Sequence, residues 1–347
     1  MNDEQPNSRP LVVSPLASVT WREGRIELSA AGAPVDLATD DLDVLGVLHA
    51  FRRPRPLAEV VARLVEERAS DVAACVDDLL DAEVLIEADA VDPAGWDHDA
   101  LAFHRRSRAD RPPVRTGVLP PAVAPPRAGL ATPLGRHVVG SRRDLAEVLE
   151  ARRSSRSWPV APITFEELSG FLWLSARNRP SGHLGDGVVS RPYPSGGAAY
   201  SLELYPVLAA DAVAVVAAGV YRYRPEDHSL ETVSTDVDHV QPFLDAAAAA
   251  AGSERPPVVV VVTSRFARQS TTYGHLAYSL VLKEVGGLFQ TVYLVAEYLD
   301  LALCALGGGM PDHLLYQLLG TDELTEPVVG ELMLGPRHPL DGGGRDG

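Results

Sequence analysis

Three arginines and two serines occupy five consecutive positions, in the stretch RRSSR at residues 152–156. Guanidinium groups match the oxygens of a phosphate in bidentate hydrogen bonds, and serine hydroxyls add short donors. The stretch follows DLAEVLEA, a helical pattern that ends near Glu150, so it begins a loop or a strand. These residues fit an anionic ligand, and a solvated basic loop would carry the same residue types.

Two glycine-rich stretches have a similar double interpretation. RPYPSGG at residues 191–197 joins two rigid prolines to two glycines, which permit positive φ and a close approach of the backbone to a ligand. An ordinary tight turn has the same composition. The stretch ALGGG at residues 305–309 follows a long apolar segment and fits either a helix end or a ligand cradle. The sequence contains no dinucleotide fingerprint and no phosphate loop.

A single tyrosine, Tyr273, stands in TTYGH just before the longest apolar segment of the chain. Residues 278–303 are apolar on nearly all sides, which predicts a helix buried in a core or in a subunit interface. A tyrosine at the start of such a helix is either a packed aromatic or a candidate general base. Within this helix we expect Glu284 and Gln290 to be satisfied core or interface polar groups rather than catalysts.

Composition limits the classes of function. The formal net charge of −16 argues against a protein that coats nucleic acid. Two cysteines, Cys75 and Cys304, fit no disulfide framework and no zinc spacing, so no metal site is expected. The N-terminus lacks the pattern of a signal peptide, and the apolar segments fall short of a membrane span. We therefore expect a soluble, cytoplasmic protein without nucleic-acid or membrane partners.

Prolines crowd the stretch from residue 93 to residue 135 and favour extended conformations over packed elements. This stretch is interpreted as a linker, which separates an N-terminal domain at residues 1–92 from a larger domain at residues 136–347.

The N-terminal domain shows three stretches of strand character, LVVSP, SVTWREGRIELSA and APVDLAT, followed by three helical patterns. Asp40 and Asp41 are candidate caps for the first helix. This layout predicts a small winged-helix-like domain. Its last helix carries Asp71, Asp77, Asp78 and Asp81, so it would repel phosphate. Peptide capture by addition of a strand to an open sheet edge fits better than DNA binding.

The C-terminal domain mixes strands with helices, which indicates the α+β class. In PITFEELSGFLWLSA, Thr164 and Glu167 form the pattern of a capping box at the start of a helix. PPVVVVVTSR is a continuous β-branched run, as in a strand buried on both faces.

The order of RRSSR, PSGG, a long apolar segment ending in LGGG, and GPR resembles the FMN-dependent nitroreductase superfamily across about residues 140–340. More narrowly, RPYPSGGAAYSLELYPV and LKEVGGLFQTVYLVAEYLDLALCALGGG are similar to the SagB-type peptide dehydrogenases, the azoline oxidases of ribosomal-peptide biosynthesis. The resemblance implies a nitroreductase-like mixed sheet flanked by helices, preceded here by the winged-helix-like domain.

The resemblance implies FMN as the cofactor and gives a role to each matching position. Arg152 and Ser154 would hold its phosphate and ribityl chain, with a further phosphate contact from Arg337. Arg156 would face N1 and O2 of the isoalloxazine, where charge accumulates on reduction. The positions implied to lie against the ring and ribityl chain are Pro194, Ser195, Gly196 and Gly197. The positions implied to approach N5 and O4 are Gly307 and Gly308.

Partners are also implied by the resemblance. Such enzymes are homodimers with FMN between the subunits, which would make the long apolar helix an interface helix. The N-terminal domain is similar to leader-peptide recognition elements, so a precursor peptide is the expected partner, and a complex with a cyclodehydratase is a further one.

Oxidation of an azoline to an azole, the activity that the resemblance implies, removes a proton and a hydride from adjacent ring carbons. Tyr273 is the implied base. The family typically places Lys before this Tyr, where an ammonium would favour the phenolate, and this chain has Thr272. Arg265, Arg268 or His275 are the nearby alternatives for that charge, and some thiopeptide-type dehydrogenases relax the Lys-Tyr pair. Two other functions stay open: a generic FMN nitroreductase using NAD(P)H, and a flavin-free scaffold that presents a precursor peptide.

Overall fold

The computed structural model describes residues 9–14, 17–30, 37–39, 43–62, 66–88, 100, 103–104, 107, 120–136, 143–159, 161–179, 189–308 and 312–338. The chain divides into two compact units, Met1–Arg111 and Pro112–Gly347. The boundary falls inside the predicted linker.

In its described residues before position 89, the N-terminal unit combines short strands with three helices. One antiparallel sheet has the order β5-β1-β6, with β1 (Pro10–Val13), β5 (Arg55–Pro56) and β6 (Leu85–Glu87). A second has the order β2-β3-β4, with β2 (Ser18–Arg22), β3 (Arg25–Ser29) and β4 (Leu37–Thr39). The helices are α1 (Asp43–Ala50), α2 (Leu57–Val61) and α3 (Glu66–Asp81). Their shared core includes Leu28, Phe51, Val76 and Leu79.

Three helical patterns of the N-terminal sequence correspond to these three helices. The stretch SVTWREGRIELSA is a hairpin of β2 and β3 rather than one strand, because Glu23 and Gly24 both adopt positive φ and reverse the chain. The predicted helix caps Asp40 and Asp41 lie outside the described residues.

The second unit is built on a seven-stranded sheet of order β12-β13-β11-β8-β9-β10-β7. Its strands are β7 (Ala131–Pro133), β8 (Leu202–Leu208), β9 (Gly219–Arg224), β10 (Ser229–Ser234), β11 (Val258–Ser264), β12 (Leu301–Ala305) and β13 (Val328–Pro336). Every neighbouring pair of these strands is antiparallel, so the sheet is antiparallel rather than mixed, and the α+β class is confirmed.

Helices cover both faces of this sheet. They are α4 (Leu145–Ala151), α5 (Phe165–Ala176), α6 (Val237–Ala251), α7 (Ala267–Tyr273), α8 (Ala277–Tyr298) and α9 (Asp312–Leu319). Alternate valines of β11 pack into different clusters: Val260 joins residues of α5 and α8, and Val261 joins residues of α6 and α9. The run of valines is therefore buried on both faces, as predicted. The capping box of Thr164 and Glu167 at the start of α5 is also confirmed.

The long apolar segment is not one helix. Helix α8 ends at Tyr298, Asp300 adopts a φ of 59°, and Leu301–Ala305 is the edge strand β12. Helix α8 has a buried face, while Tyr278 and Leu282 are 42% and 39% exposed. Residues 267–298 are long and apolar enough to cross a membrane by length and composition, a test that the core helix of a soluble protein also passes.

The predicted linker extends too far toward the C-terminus. Strand β7 pairs with β10, and Leu134 is buried in the core of the second unit. Residues 120–127, here called the strap, are held by arginines of that unit. Arg222 donates to Pro125 O at 2.9 Å, and the Arg127 amide donates to Glu231 at 2.6 Å. Proline leaves its carbonyl free as an acceptor, which allows a Pro-rich segment to be bound in this way.

Candidate active site

The RRSSR stretch lies along the free edge of strand β12. Helix α4 ends at Ala151, and the Ser155 amide then donates to Leu303 O at 2.9 Å. The stretch is therefore attached to a sheet edge, which gives its side chains a rigid support.

Tyr293 of α8 organises this region. Its Oη lies 2.8 Å from Ser154 Oγ and accepts a hydrogen bond of 2.9 Å from the Ala305 amide. The guanidinium of Arg152 lies over its ring, 5.3 Å from the centroid. One tyrosine thus connects two of the predicted phosphate ligands to the end of β12. No local sequence pattern predicts this role, because Tyr293 and Ser154 are 139 positions apart.

Arg156 is exposed and lies close enough to the buried Cys304 to act on it electrostatically. Burial raises the pKa of the Cys304 thiol, and the positive charge of Arg156 and a hydrogen bond with Ser154 oppose this shift. Ser154 and Arg156 therefore both lie near Cys304, close to the C-terminal end of β12.

Gly307 and Gly308 follow β12, so they end a strand rather than the predicted helix. A Cβ placed on either glycine would meet no atom within 4 Å, and Gly308 has a φ of 110°. The backbone here borders open space, two to three positions beyond Ala305, whose amide shares Tyr293 Oη with Ser154. Cationic and hydroxyl donors next to accessible backbone fit the phosphate and polar ring edge of a flavin nucleotide.

Arg337 lies about one helical turn beyond Tyr293 along α8. It pairs with Glu297 and Asp300 and donates to Leu301 O at 3.1 Å. Arg143 contacts the same two carboxylates. The predicted phosphate contact of Arg337 would therefore have to compete with two acidic partners.

The PSGG loop contacts the candidate base. Gly197 has a φ of 60°, and a Cβ placed on it would lie 2.3 Å from Tyr273 Oη. The same loop packs on α8: a Cβ on Gly196 would lie 3.6 Å from Leu280, and a Cβ on Gly287 would lie 3.1 Å from Pro194 Cδ. The structure thus brings together the PSGG loop and Tyr273, each of which has both a structural and a functional interpretation from sequence.

A network of hydrogen bonds with buried polar side chains supports this loop. Ser195 Oγ accepts from the Tyr200 amide at 2.9 Å, and Gln269 Nε2 lies 3.5 Å from Ser195 Oγ and donates to Glu284 at 3.1 Å. Glu284 also accepts from the amide and the hydroxyl of Ser201, both at 3.1 Å. Burial raises the pKa of Glu284. Glu284 is a satisfied core residue, as expected, while Gln290 is exposed.

Arg191, the first residue of RPYPSGG, is buried and has a structural role in the loop. It is 2% exposed and donates to Leu202 O at 2.6 Å, to Tyr193 Oη at 3.0 Å and to Asn178 Oδ1 at 3.3 Å. It therefore joins the two ends of the loop.

Arg265, Arg268 and His275 are the predicted alternatives to the lysine that Thr272 replaces, and their surroundings differ. Arg268 donates to Ala199 O at 2.6 Å and to Pro120 O. Arg265 lies 3.8 Å from Glu203 and donates to Ala122 O at 3.4 Å. His275 is exposed, and Thr272 is half-buried.

The two groups of predicted flavin ligands lie at different places along α8. Leu280 and Gly287 are seven positions apart and share one face of the helix, which contacts the PSGG loop. Tyr293 lies about 9 Å beyond Gly287 and projects roughly 120° away from that face, as follows from about 1.5 Å and 100° per residue. RRSSR and PSGG therefore contact α8 at points about 9 Å apart along its axis and on different faces.

Solved structures with the same fold include a protein of Anabaena variabilis named as a nitroreductase, with a TM-score of 0.54 and 19% identity, covering 72% of this chain and 49% of that one. A Ralstonia eutropha protein of the same name has a TM-score of 0.47 and 21% identity, covering 66% of this chain and 99% of that one. The microcin synthetase McbBCD complex of E. coli has a TM-score of 0.45 and 22% identity, covering 59% and 77%.

Sequence comparison gives the stronger result. A Methanocaldococcus jannaschii protein named as a nitroreductase is 34% identical over 164 residues, which cover 47% of this chain and 78% of that protein. Residues 149–335, more than half of the chain, match the model of the nitroreductase family. This range contains RRSSR, PSGG, Tyr273, Tyr293 and the two glycines after β12. The chain belongs to the nitroreductase family, whose members are flavin-dependent oxidoreductases.

Proposed function

We propose that this protein is an FMN-dependent oxidoreductase that converts azolines to azoles in a ribosomally made precursor peptide, of the thiopeptide type. Family membership supports the flavin-dependent oxidoreductase class, and the resemblance of RPYPSGGAAYSLELYPV supports the peptide substrate. One observation carries the proposal: the hydroxyl of Tyr273 lies against Gly197 in the loop to which the resemblance assigns the flavin ring.

FMN would be held by groups from both regions. Arg152, Ser154 and Arg337 would bind the phosphate and ribityl chain, and Arg156 would lie at N1 and O2 of the ring. The backbone groups of this proposal are Pro194, Ser195, Gly196, Gly197, Gly307 and Gly308. Bound FMN supplies an acceptor for the hydride that leaves the azoline.

Tyr273 would take the proton from the neighbouring ring carbon. A general base must lie within hydrogen-bond reach of the proton that it removes. Because Gly197 has no side chain, the Tyr273 hydroxyl reaches the loop surface, where an azoline above the flavin would lie. Thr272 stands in the place of the lysine, so the charge that favours the phenolate would come from elsewhere in the site.

A homodimer would complete the site. RRSSR and PSGG contact α8 about 9 Å apart along its axis and on different faces, and in the homodimer that the resemblance implies each flavin would contact one set from each copy. The exposed apolar residues Tyr278 and Leu282 lie on α8 and are suited to such an interface.

The N-terminal unit would bind the leader of the precursor. In the order β2-β3-β4, strand β2 lies at an edge of its sheet and carries Trp21, which is 63% exposed. An extended leader could pair with this edge and contact the indole. A cyclodehydratase that makes the azolines is the further partner of this proposal.

The test is mass spectrometry of an azoline-bearing peptide incubated with the protein and FMN. We expect a loss of about 2 Da per ring, the mass of two hydrogens transferred as proton and hydride. Tyr273→Phe keeps the ring but lacks the hydroxyl, and it should bind FMN and oxidise the peptide only at a small residual rate.

Other outcomes would identify the other functions. Flavin absorbance and NAD(P)H oxidation without loss of mass would indicate a generic nitroreductase. If the protein retains no flavin absorbance after FMN is added and the unbound FMN is removed, both enzymatic functions are excluded. The peptide-presenting scaffold then remains.

A further inference from the structure

Arg268 connects three segments that surround Tyr273. It lies in α7, the helix that ends at Tyr273, and is 5% exposed. Its Nε donates to Ala199 O at 2.6 Å, and its Nη1 donates to Pro120 O in the strap. One guanidinium therefore links the PSGG loop, the strap and the helix of the candidate base.

Such a buried cation is costly, because a charge taken out of water needs compensating hydrogen bonds. No ion pair within the part of the chain that the structure describes includes Arg268. Glu203 and Glu284 act on it at longer range, while burial and the charges of Arg265 and Arg191 lower its pKa to about 10. It is therefore protonated at neutral pH, and its two backbone carbonyls are its direct partners.

The segment that Arg268 holds is strained. Gly197, Ala198 and Tyr200 have φ values of 60°, 54° and 44°. Left-handed backbone is sterically unfavourable at residues other than glycine, because Cβ approaches the following carbonyl oxygen. Such a conformation persists when surrounding contacts determine it, and Ala199, whose carbonyl Arg268 binds, lies within this strained segment.

We propose that Arg268 is a positioning residue for Tyr273, which fixes the strained loop and the strap against α7 so that the hydroxyl stays at Gly197. The planar guanidinium can donate to two carbonyls in fixed directions, which neither an ammonium nor an amide reproduces. The positioning role rests on the proposed function for its kinetic consequence, but its structural consequence can be measured without substrate.

Hydrogen exchange measured by mass spectrometry on the full chain tests the structural part. Arg268→Gln should increase amide exchange in two segments, the loop at 195–201 and the strap at 120–127. Arg265→Gln is the matched control, since the Arg265 side chain reaches the strap at Ala122 O and pairs with Glu203. It should increase exchange in the strap with little effect on the loop. Unchanged loop exchange in Arg268→Gln would overturn the proposal, whether or not the wild type oxidises azolines.

Kinetics with an azoline peptide test the functional part. Arg268→Gln should lower kcat by about 10- to 100-fold, since a misplacement of about 1 Å can cost that much, with FMN affinity and peptide KM changed less than threefold. In the Tyr273→Phe background the same change should have no further effect on kcat, because the group that it positions is gone. Additive losses, or a loss confined to FMN affinity, would show that Arg268 does not act through Tyr273. If the wild type has no activity, the proposed function fails and the exchange data still decide the positioning role.

Discussion

The hydroxyl of Tyr273 occupies the space that a side chain at position 197 would need. A Cβ placed on Gly197 would lie 2.3 Å from Tyr273 Oη and 3.3 Å from its Cζ. Real Cβ atoms do not approach other atoms this closely, so either the tyrosine or the loop would have to move. The absence of a side chain at Gly197 is therefore part of how the candidate base is placed.

Gly197→Ala should reduce azoline oxidation by about 10- to 100-fold, because the methyl group displaces the Tyr273 hydroxyl. The same change also strains a residue with a φ of 60° and should lower stability by roughly 1 kcal/mol. Steady-state rates and urea midpoints measure the two effects separately.

Gly252→Ala is the control that separates the effect of backbone strain from the effect of displacing the Tyr273 hydroxyl. Gly252 has a φ of 59° at the end of α6, and a Cβ there would meet no atom within 4 Å. Its replacement should cost similar stability and leave the oxidation rate unchanged. Equal activity losses in both variants would attribute the effect to backbone strain, not to Tyr273.

Thr272→Lys should raise the rate at neutral pH by restoring the lysine that the resemblance places before the tyrosine. An ammonium within about 4 to 6 Å of a phenol favours the phenolate, so the Lys variant should oxidise azolines faster than the wild type at neutral pH. A Thr272→Met variant controls for side-chain length without charge. The idea of a missing cation is wrong if the Lys and Met variants oxidise azolines at the same rate at neutral pH.

Local patterns were enough to predict much of the second unit. The capping box at Thr164, the buried strand β11 and the basic stretch at 152–156 all depend on residues close together in the chain. The division between α8 and β12 does not follow from the sequence pattern, because continuous apolarity does not distinguish a helix from an adjoining buried strand.

In the candidate site, too, local patterns do not predict contacts between residues that are distant in the chain. RRSSR and PSGG were identified from composition, but their supports come from distant residues, including Tyr293 and Arg268. The prolines of the strap predict a linker, because they indicate the absence of packed elements. The arginines that bind its carbonyls are about a hundred or more positions away. Long-range hydrogen bonds of this kind leave no periodic signal.

Tyr293→Phe should weaken FMN binding, because it removes the hydroxyl that Ser154 and the Ala305 amide both contact. Each of these two hydrogen bonds contributes about 1 kcal/mol, so the loss of one or both should raise the Kd for FMN about 5- to 30-fold. Flavin fluorescence titration measures this change. Tyr298→Phe, on the same helix, is the control and should leave the Kd unchanged; a Kd that is the same in all three proteins would remove Tyr293 from the site.

Glu203 should make stability fall as pH rises. It is buried, and burial raises its pKa to about 7, an effect that the charges of Arg191 and Arg265 partly oppose. The folded state therefore holds the proton more tightly than the unfolded state, where the pKa is near 4.5. Its contribution to stability is complete below about pH 4.5 and is lost as pH rises through 7, by up to about 3 kcal/mol at 1.4 kcal/mol per unit.

Glu203→Gln, which resembles the protonated form, tests this dependence. Between pH 5 and pH 8, the wild type should lose more stability than the variant in urea denaturation. Parallel losses would show that Glu203 is ionised at both pH values.

Trp21→Ala should impair capture of a leader-bearing precursor and leave the chemistry intact. Trp21 is 63% exposed on the edge strand β2, so its removal should have little effect on stability. An exposed aromatic that becomes buried on binding contributes more than about 1 kcal/mol, so the KM for the full precursor should rise at least fivefold. The KM and kcat for a leaderless azoline peptide should not change. Leu324→Ala, which removes an apolar side chain that is 87% exposed in the second unit, is the control. If Trp21→Ala raises the KM of both peptides equally, the leader does not bind at this edge.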